Sequence, residues 1–169
     1  RNDGNFTLIF FDLDNFKKLN DTWGHLAGDL TLKRMAEILI FEKRTEDIAC
    51  RYGGEVLVLI LPETQKINAL VIAERIRQAV EKLELTHEGK SFGVTLSGGV
   101  ASYPIDGLDI KSLVHASDIA LYQAKEGGRN RVFLHSSDKR NYLRIDFAGE
   151  VQVSKISQET DKIKAKGKN

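Results

Sequence analysis

Two adjacent glycines, Gly53-Gly54, lie between two apolar segments, residues 48–52 and 55–61, and make the chain double back on itself. Such a pair between strand-like runs signals a hairpin, because a tight turn needs residues that accept positive φ. An antiparallel hairpin in mid-chain excludes a purely parallel sheet. A second segment narrows the fold further. Thr7-Leu8-Ile9-Phe10-Phe11 is continuously apolar, the pattern of a strand buried on both faces. It runs into Asp12-Leu13-Asp14, which sets carboxylates at that strand's C-terminal end.

Helical periodicity appears three times. Leu30, Met35, Ile38 and Leu39 recur at helical spacing over residues 27–41, with Asp29 near the start. Leu70, Ala73, Ile76 and Val80 form one face over residues 67–83, and Leu113, Ala116, Ile119, Ala120 and Tyr122 do so over 110–124. Residues 92–97 and the stretch through Val100 and Ala101 add strand material, and residues 131–134 form a last short strand after Gly127-Gly128. The expected fold is α/β (α+β), a mixed sheet with an antiparallel hairpin flanked by helices. The domain is expected to span residues 1–135. Residues 136–169 turn polar and end in a Lys-rich tail, a linker or the truncated start of a following domain.

Bulk chemistry removes several function classes. Lys and Arg number 25 against 24 Asp and Glu, so no broad positive field favours DNA. Cys50 is the sole cysteine, which excludes an internal disulfide and a Cys-based zinc site and suits a reducing, cytoplasmic setting. His87, His115 and His135 lack metal-ligand spacing. No apolar run approaches the roughly 18 residues of a membrane span, so no membrane contact is expected of this segment. Cys50, Trp23 and Tyr122 read as packing residues.

Chemistry concentrates at strand ends. Asp12 closes the buried strand, and Glu55 stands at the tip of a hairpin that could be its neighbour. Two carboxylates brought together there repel unless a cation lies between them, and hard oxygen ligands favour Mg²⁺. Taken singly, each reads first as a solvated loop acid; it is their contexts together that favour the metal. The turn leaving the strand exposes backbone N–H groups beside Lys17, a setting that suits phosphate. Asn20 and Asp29 have the donor and acceptor groups to read guanine; as local devices they would be a turn former and a helix cap.

Three stretches then resemble the signatures of the GGDEF family, in the family's order: residues 11–29 (Phe11-Asp12-Leu13-Asp14-Asn15-Phe16 through Gly28-Asp29), Arg51-Tyr52-Gly53-Gly54-Glu55, and residues 117–130 (Ser117-Asp118 through Gly127-Gly128-Arg129-Asn130). The resemblance covers about residues 5–135. It implies a five-stranded mixed sheet wrapped by helices, similar to nucleotidyl cyclases and polymerase palms. The implied activity condenses two GTP into cyclic di-GMP with release of pyrophosphate, across a homodimer of domains. By position, Asp12, the Leu13 carbonyl and Glu55 would hold Mg²⁺, with Mn²⁺ as the alternative ion. Glu55 would be the base and Lys17 a second catalytic residue, acting with Lys125 and Arg129 on the phosphates. Asn20, His25 and Asp29 would line the guanine and ribose pocket.

The pattern breaks at Val56, where the family has Glu, at Leu57 for Phe, and at Gly98, where an apolar residue is usual and a looser strand is expected. The alternative to a cyclase is therefore a degenerate domain that binds GTP or cyclic di-GMP and regulates a partner. Arg44-Thr45-Glu46-Asp47 resembles the family's product-binding RxxD site, with Arg75 where a partner domain's secondary arginine would complete it. RxxD is also a common surface pattern at helix ends. Finally, residues 139–147 resemble the opening of a PilZ domain, but too little follows to make one, and a plain basic linker is the preferred reading.

Overall fold

The computed structural model describes residues 4–136, and every element below belongs to the unit that ends at His135. The expected PilZ-like stretch lies outside the described residues. In chain order the elements are β1 (Phe6–Leu13), α1 (Phe16–Trp23), α2 (His25–Glu42), β2 (Ile48–Gly53), β3 (Val56–Pro62), α3 (Lys66–Glu81), β4 (Glu84–His87), β5 (Lys90–Gly93), β6 (Leu96–Tyr103), α4 (Ile110–Glu126) and β7 (Val132–Leu134). Five strands form one sheet in the order β2-β3-β1-β6-β7, antiparallel except for the parallel β6–β7 pair. The mixed sheet with an antiparallel hairpin is as expected.

β1 lies at the middle of the sheet, which is why its run is apolar on both faces. Leu8 and Phe10 join Val58 of β3 and Ala101 of β6 beneath Leu113, Ala116 and Leu121 of α4. Ile9, Phe11 and Leu13 alternate to the opposite face and are fully buried, as are Met35 and Leu39 of α2 and Ile76 and Val80 of α3. α4 approaches β6 closely at Gly99, where an added Cβ would lie 2.1 Å from the Ser117 carbonyl oxygen. Ser117 Oγ also donates to the Gly99 carbonyl at 2.8 Å. A capping box starts α4, Ser112 N donating to Asp109 Oδ1 at 2.8 Å and Asp109 N to Ser112 Oγ at 3.3 Å.

Several expectations are corrected. Residues 92–97 are not one strand: β5 pairs with β4 in a separate hairpin turned by Glu88-Gly89, both at positive φ, and β6 begins at Leu96. The segment after Asn15 is the helix α1, and Gly24, at φ +84°, separates it from α2. Cys50 is exposed, because β2 is an edge strand. Tyr122 is 64% exposed on the outer side of α4, whereas Trp23 does pack, its ring stacked on Phe92 at 4.8 Å. Gly98 is paired in register on both sides, with Phe11 of β1 and Val132 of β7. Phe11 and Val132 fill the space its side chain would occupy, with atoms 3.1–3.2 Å from an added Cβ.

Candidate functional site

The C-terminal end of β1, the β2–β3 turn and the C-terminal end of α4 converge. Antiparallel register sets Asp12 opposite Val56 on one side and Ser97 on the other. Lys125, one residue before the end of α4, reaches back so that its Nζ lies 2.8 Å from Asp12 Oδ2. The other oxygen, Asp12 Oδ1, is buried with no hydrogen-bond partner. Burial pushes the Asp12 carboxyl above its ordinary value, and the charges of Glu55 and Asp14 push the same way, against the hydrogen bond and charge of Lys125. An unpaired carboxylate oxygen near a second acid is a donor set that a hard divalent cation takes. Among the described residues, however, no three His, Cys, Asp or Glu side chains are grouped as a ready metal cluster.

Glu55 is half-buried in the turn, which Arg51 braces by donating from Nε to the Gly54 carbonyl at 2.8 Å. Leu13 is the last residue of β1 and pairs with Leu96. Val56 turns its side chain to the α4 face, against the Leu8–Phe10–Val58 cluster. Position 56 is thus directly cross-strand from Asp12, where paired Cβ atoms stand about 5 Å apart. A glutamate there would put a third acid beside Asp12.

α1 packs on α2, which brings Asn20 against Gly28, the residue before Asp29. The contact is so close that a Cβ on Gly28 would fall 1.9 Å from Asn20 Oδ1. That oxygen is buried and unpaired. Neither residue plays the local role open to it, since Asn20 is inside α1 and Asp29 is the fifth residue of α2, not a cap. Asp29 is exposed and borders a cavity of about 420 Å³ between α2 and β2, shared with Leu32, Lys33, Cys50 and Arg51. His25 is exposed at the first position of α2, and Lys17 is exposed in α1. Arg129 is exposed just beyond α4, at φ +63°.

The RxxD residues form a separate patch after α2. Arg44 N donates to Asp47 Oδ2 at 2.7 Å, while Asp47 Oδ1 is buried without a partner. Lys43 Nζ donates to the carbonyls of Arg44 and Asp47, each at 3.0 Å. Arg75 of α3 is placed beside this patch in the same chain, its guanidinium paired with the Glu42 carboxylate and carbonyl. The buried side-chain polar atoms left unpaired among the described residues belong to Asp12, Asn20 and Asp47, all named from the sequence.

Asp14 has a role that sequence reasoning did not assign. It is buried and accepts from Thr95 Oγ1 and Ser97 Oγ, each at 2.7 Å, and from Asn130 N at 2.9 Å. Only its spacing from Asp12 hinted at it. The acid–amide contacts of Asn130, Arg77 and Glu81 left no signal in the linear pattern.

The chain is similar to known proteins in sequence and in fold. The family model described as diguanylate cyclase, GGDEF domain, matches residues 1–131. The diguanylate cyclase A of Treponema denticola is 43% identical over 132 residues, covering 78% of this chain and 36% of that protein. The response regulator PleD of Caulobacter vibrioides is 43% identical over 128 residues, covering 75% of this chain and 28% of that one. The chain thus spans about a third of the length of these relatives. Among solved structures, the GGDEF domain of DgcB from Caulobacter crescentus, in complex with c-di-GMP, superposes with a TM-score of 0.75 at 33% identity, covering 79% of this chain and 80% of that one. The active GGEEF domain of a Vibrio cholerae diguanylate cyclase gives 0.73 at 32% identity, covering 79% and 84%.

Proposed function

The chain belongs to the GGDEF diguanylate cyclase family, and from that premise we propose that it binds GTP and condenses two molecules into cyclic di-GMP across a homodimer. The observation that carries this reading is Asp12: half-buried at a central strand end, one oxygen on Lys125, the other buried and unpaired, and near Glu55. Asp12, Glu55 and the Leu13 carbonyl would hold the divalent cation, Mg²⁺ or Mn²⁺, which when bound supplies charge neutralisation at the phosphates. Asp29 accepts from the N1 and N2 donors of guanine, and Asn20 binds its opposite edge. His25 stands at the ribose side. Lys17, Lys125 and Arg129 balance the triphosphate.

Each 3′-hydroxyl gives its proton to Glu55 and forms a bond to the partner's α-phosphorus. The bond from that phosphorus to the leaving oxygen breaks, and pyrophosphate departs. Two such transfers close the ring. The setting is cytoplasmic, where GTP is supplied. Among the described residues, no helix is long and apolar enough to cross a membrane.

A second reading rests on Val56. With an apolar side chain directly opposite Asp12, the site lacks an acid, which suits a slow enzyme or a domain that binds GTP or cyclic di-GMP to regulate a partner. Incubating the dimerised chain with GTP and Mg²⁺, and measuring cyclic di-GMP and pyrophosphate, separates the two. Product that disappears in Glu55→Gln supports the cyclase. Saturable GTP binding without product supports the regulatory domain, and no GTP binding refutes both nucleotide readings.

A further inference from the structure

The chain leaving α4 runs through three consecutive left-handed residues, Gly128 at φ +115°, Arg129 at +63° and Asn130 at +47°. Glycine accepts this conformation freely and asparagine tolerates it, but arginine does not favour it, so the Arg129 backbone must be held from outside. Arg129 N donates to the Ala124 carbonyl at 3.1 Å, and Arg131 Nε donates to the Arg129 carbonyl at 2.9 Å. The next residue is fixed more firmly. Asn130 N donates to Asp14 Oδ2 at 2.9 Å, Asn130 Oδ1 accepts from Arg77 Nη1 at 2.6 Å, and Asn130 Nδ2 donates to Glu81 Oε1 at 2.7 Å.

Both anchors are themselves restrained. Asp14 lies two residues beyond Asp12 and is tied to Ser97 of β6 and to Thr95 just before that strand. Arg77 is clamped on α3 by Glu74, with Nε donating at 2.8 Å, and by Glu81 at 2.8 Å. Burial opposes the charge on Arg77, but its two glutamates hold the guanidinium above its ordinary pKa; Arg77, then Asn130, hold Glu81 below its own. The amide of Asn130 presents its oxygen to a cation and its NH₂ to an anion, so a flipped amide would set like against like. Aspartate would lose the donor and repel Glu81. Glycine would keep the backbone and lose both side-chain bonds.

We propose that Asn130 is a positioning residue for nucleotide phosphate: it pins the loop carrying Arg129 to the strand end carrying Asp12, through Asp14 on one side and the Arg77–Glu81 pair on the other. This rests on the GTP-binding reading above. Asn130 touches no substrate in this account. It sets where the Arg129 guanidinium stands relative to Asp12, and so acts on phosphates and not on the base.

The test is calorimetric titration of the 169-residue chain with GTP and with guanosine, in Mg²⁺, for the parent, Asn130→Gly, Arg129→Ala and the double variant. Asn130→Gly should weaken GTP roughly five- to tenfold, leave guanosine unchanged, and add nothing further once Arg129 is alanine. Equal GTP affinity for parent and Asn130→Gly overturns the proposal, as does an equal loss of GTP and guanosine, or a loss that persists in full without Arg129. A parent that binds no GTP refutes the nucleotide reading itself, and this inference with it.

Discussion

Asp12→Asn should make the nucleotide-free domain more stable at neutral pH while removing its Mg²⁺-dependent grip on GTP. Two opposing terms set the size of the change. The parent leaves one buried carboxylate oxygen unpaired, a defect of about 1–3 kcal/mol, and sets that charge near Glu55 and Asp14. Against this, the variant gives up the Lys125 contact. That loss is light, because the Lys125 side chain is 29% exposed and can return to water. The upward shift of the Asp12 carboxyl says which side wins, since burial and repulsion together outweigh the lysine. A net gain of roughly 0.5–2 kcal/mol follows, of the order seen when a functional group held at a stability cost is neutralised. For a domain of this size that is a rise in Tm of about 2–8 °C.

The sign of the pH dependence is fixed by the same shift. Between the unfolded value of 3.8 and the higher folded one, the native state binds more protons, so the parent loses stability as pH rises through that window. Asparagine has no such loss. Thermal and urea melts of both proteins, without metal or nucleotide, should show the gain at neutral pH and its disappearance as pH falls toward 3.8. A variant less stable than the parent at neutral pH, or a gain that ignores pH, would refute the reasoning.

Val56→Glu, directly across from Asp12, should raise cyclic di-GMP turnover about ten- to a hundredfold if the missing acid limits the rate, and an unchanged rate would place the limit elsewhere. Gly98→Val should cost about 1–3 kcal/mol in urea melts, because Phe11 and Val132 already occupy the space; equal stability would show that they yield. Arg44→Ala should weaken cyclic di-GMP by about 1.5–3 kcal/mol, roughly ten- to a hundredfold, and leave GTP affinity unchanged. Equal cyclic di-GMP titrations would make the RxxD pattern a coincidence of surface composition.

The central strand and the long helices were legible because burial on both faces and helical amphipathicity each leave a periodic trace over many residues. α1 was not, since its eight residues bury Leu19 alone and follow turn-forming Asp14-Asn15. The β4–β5 hairpin was hidden by its Glu88-Gly89 turn, which lacks the usual Asn-Gly or Asp-Gly signature. Exposure misled in two places. Cys50 and Tyr122 have the side chains of buried residues, but one lies on a sheet edge and the other on the outer side of a helix, which depends on topology. The site residues came from the signatures. What the signatures could not supply is register: that Val56 faces Asp12, and that Asp14 and Asn130 join segments more than a hundred positions apart, follows only once the strands are paired.

The central place of β1 has a consequence for how the chain is made. β1 is synthesised before the other strands of its sheet, and both its neighbours come much later: Phe6 pairs with Pro62 and Leu13 with Leu96. At a synthesis rate of roughly 5–20 residues per second, its apolar run waits about 4–20 seconds for the second partner. Sheets closed by such distant pairings fold slowly. During that interval the apolar run that will become the middle of the sheet lacks one or both of its strand partners, the form of chain that chaperones bind and that aggregates seed from. The domain is therefore most exposed to misassembly before its candidate site exists, while β6 has yet to arrive.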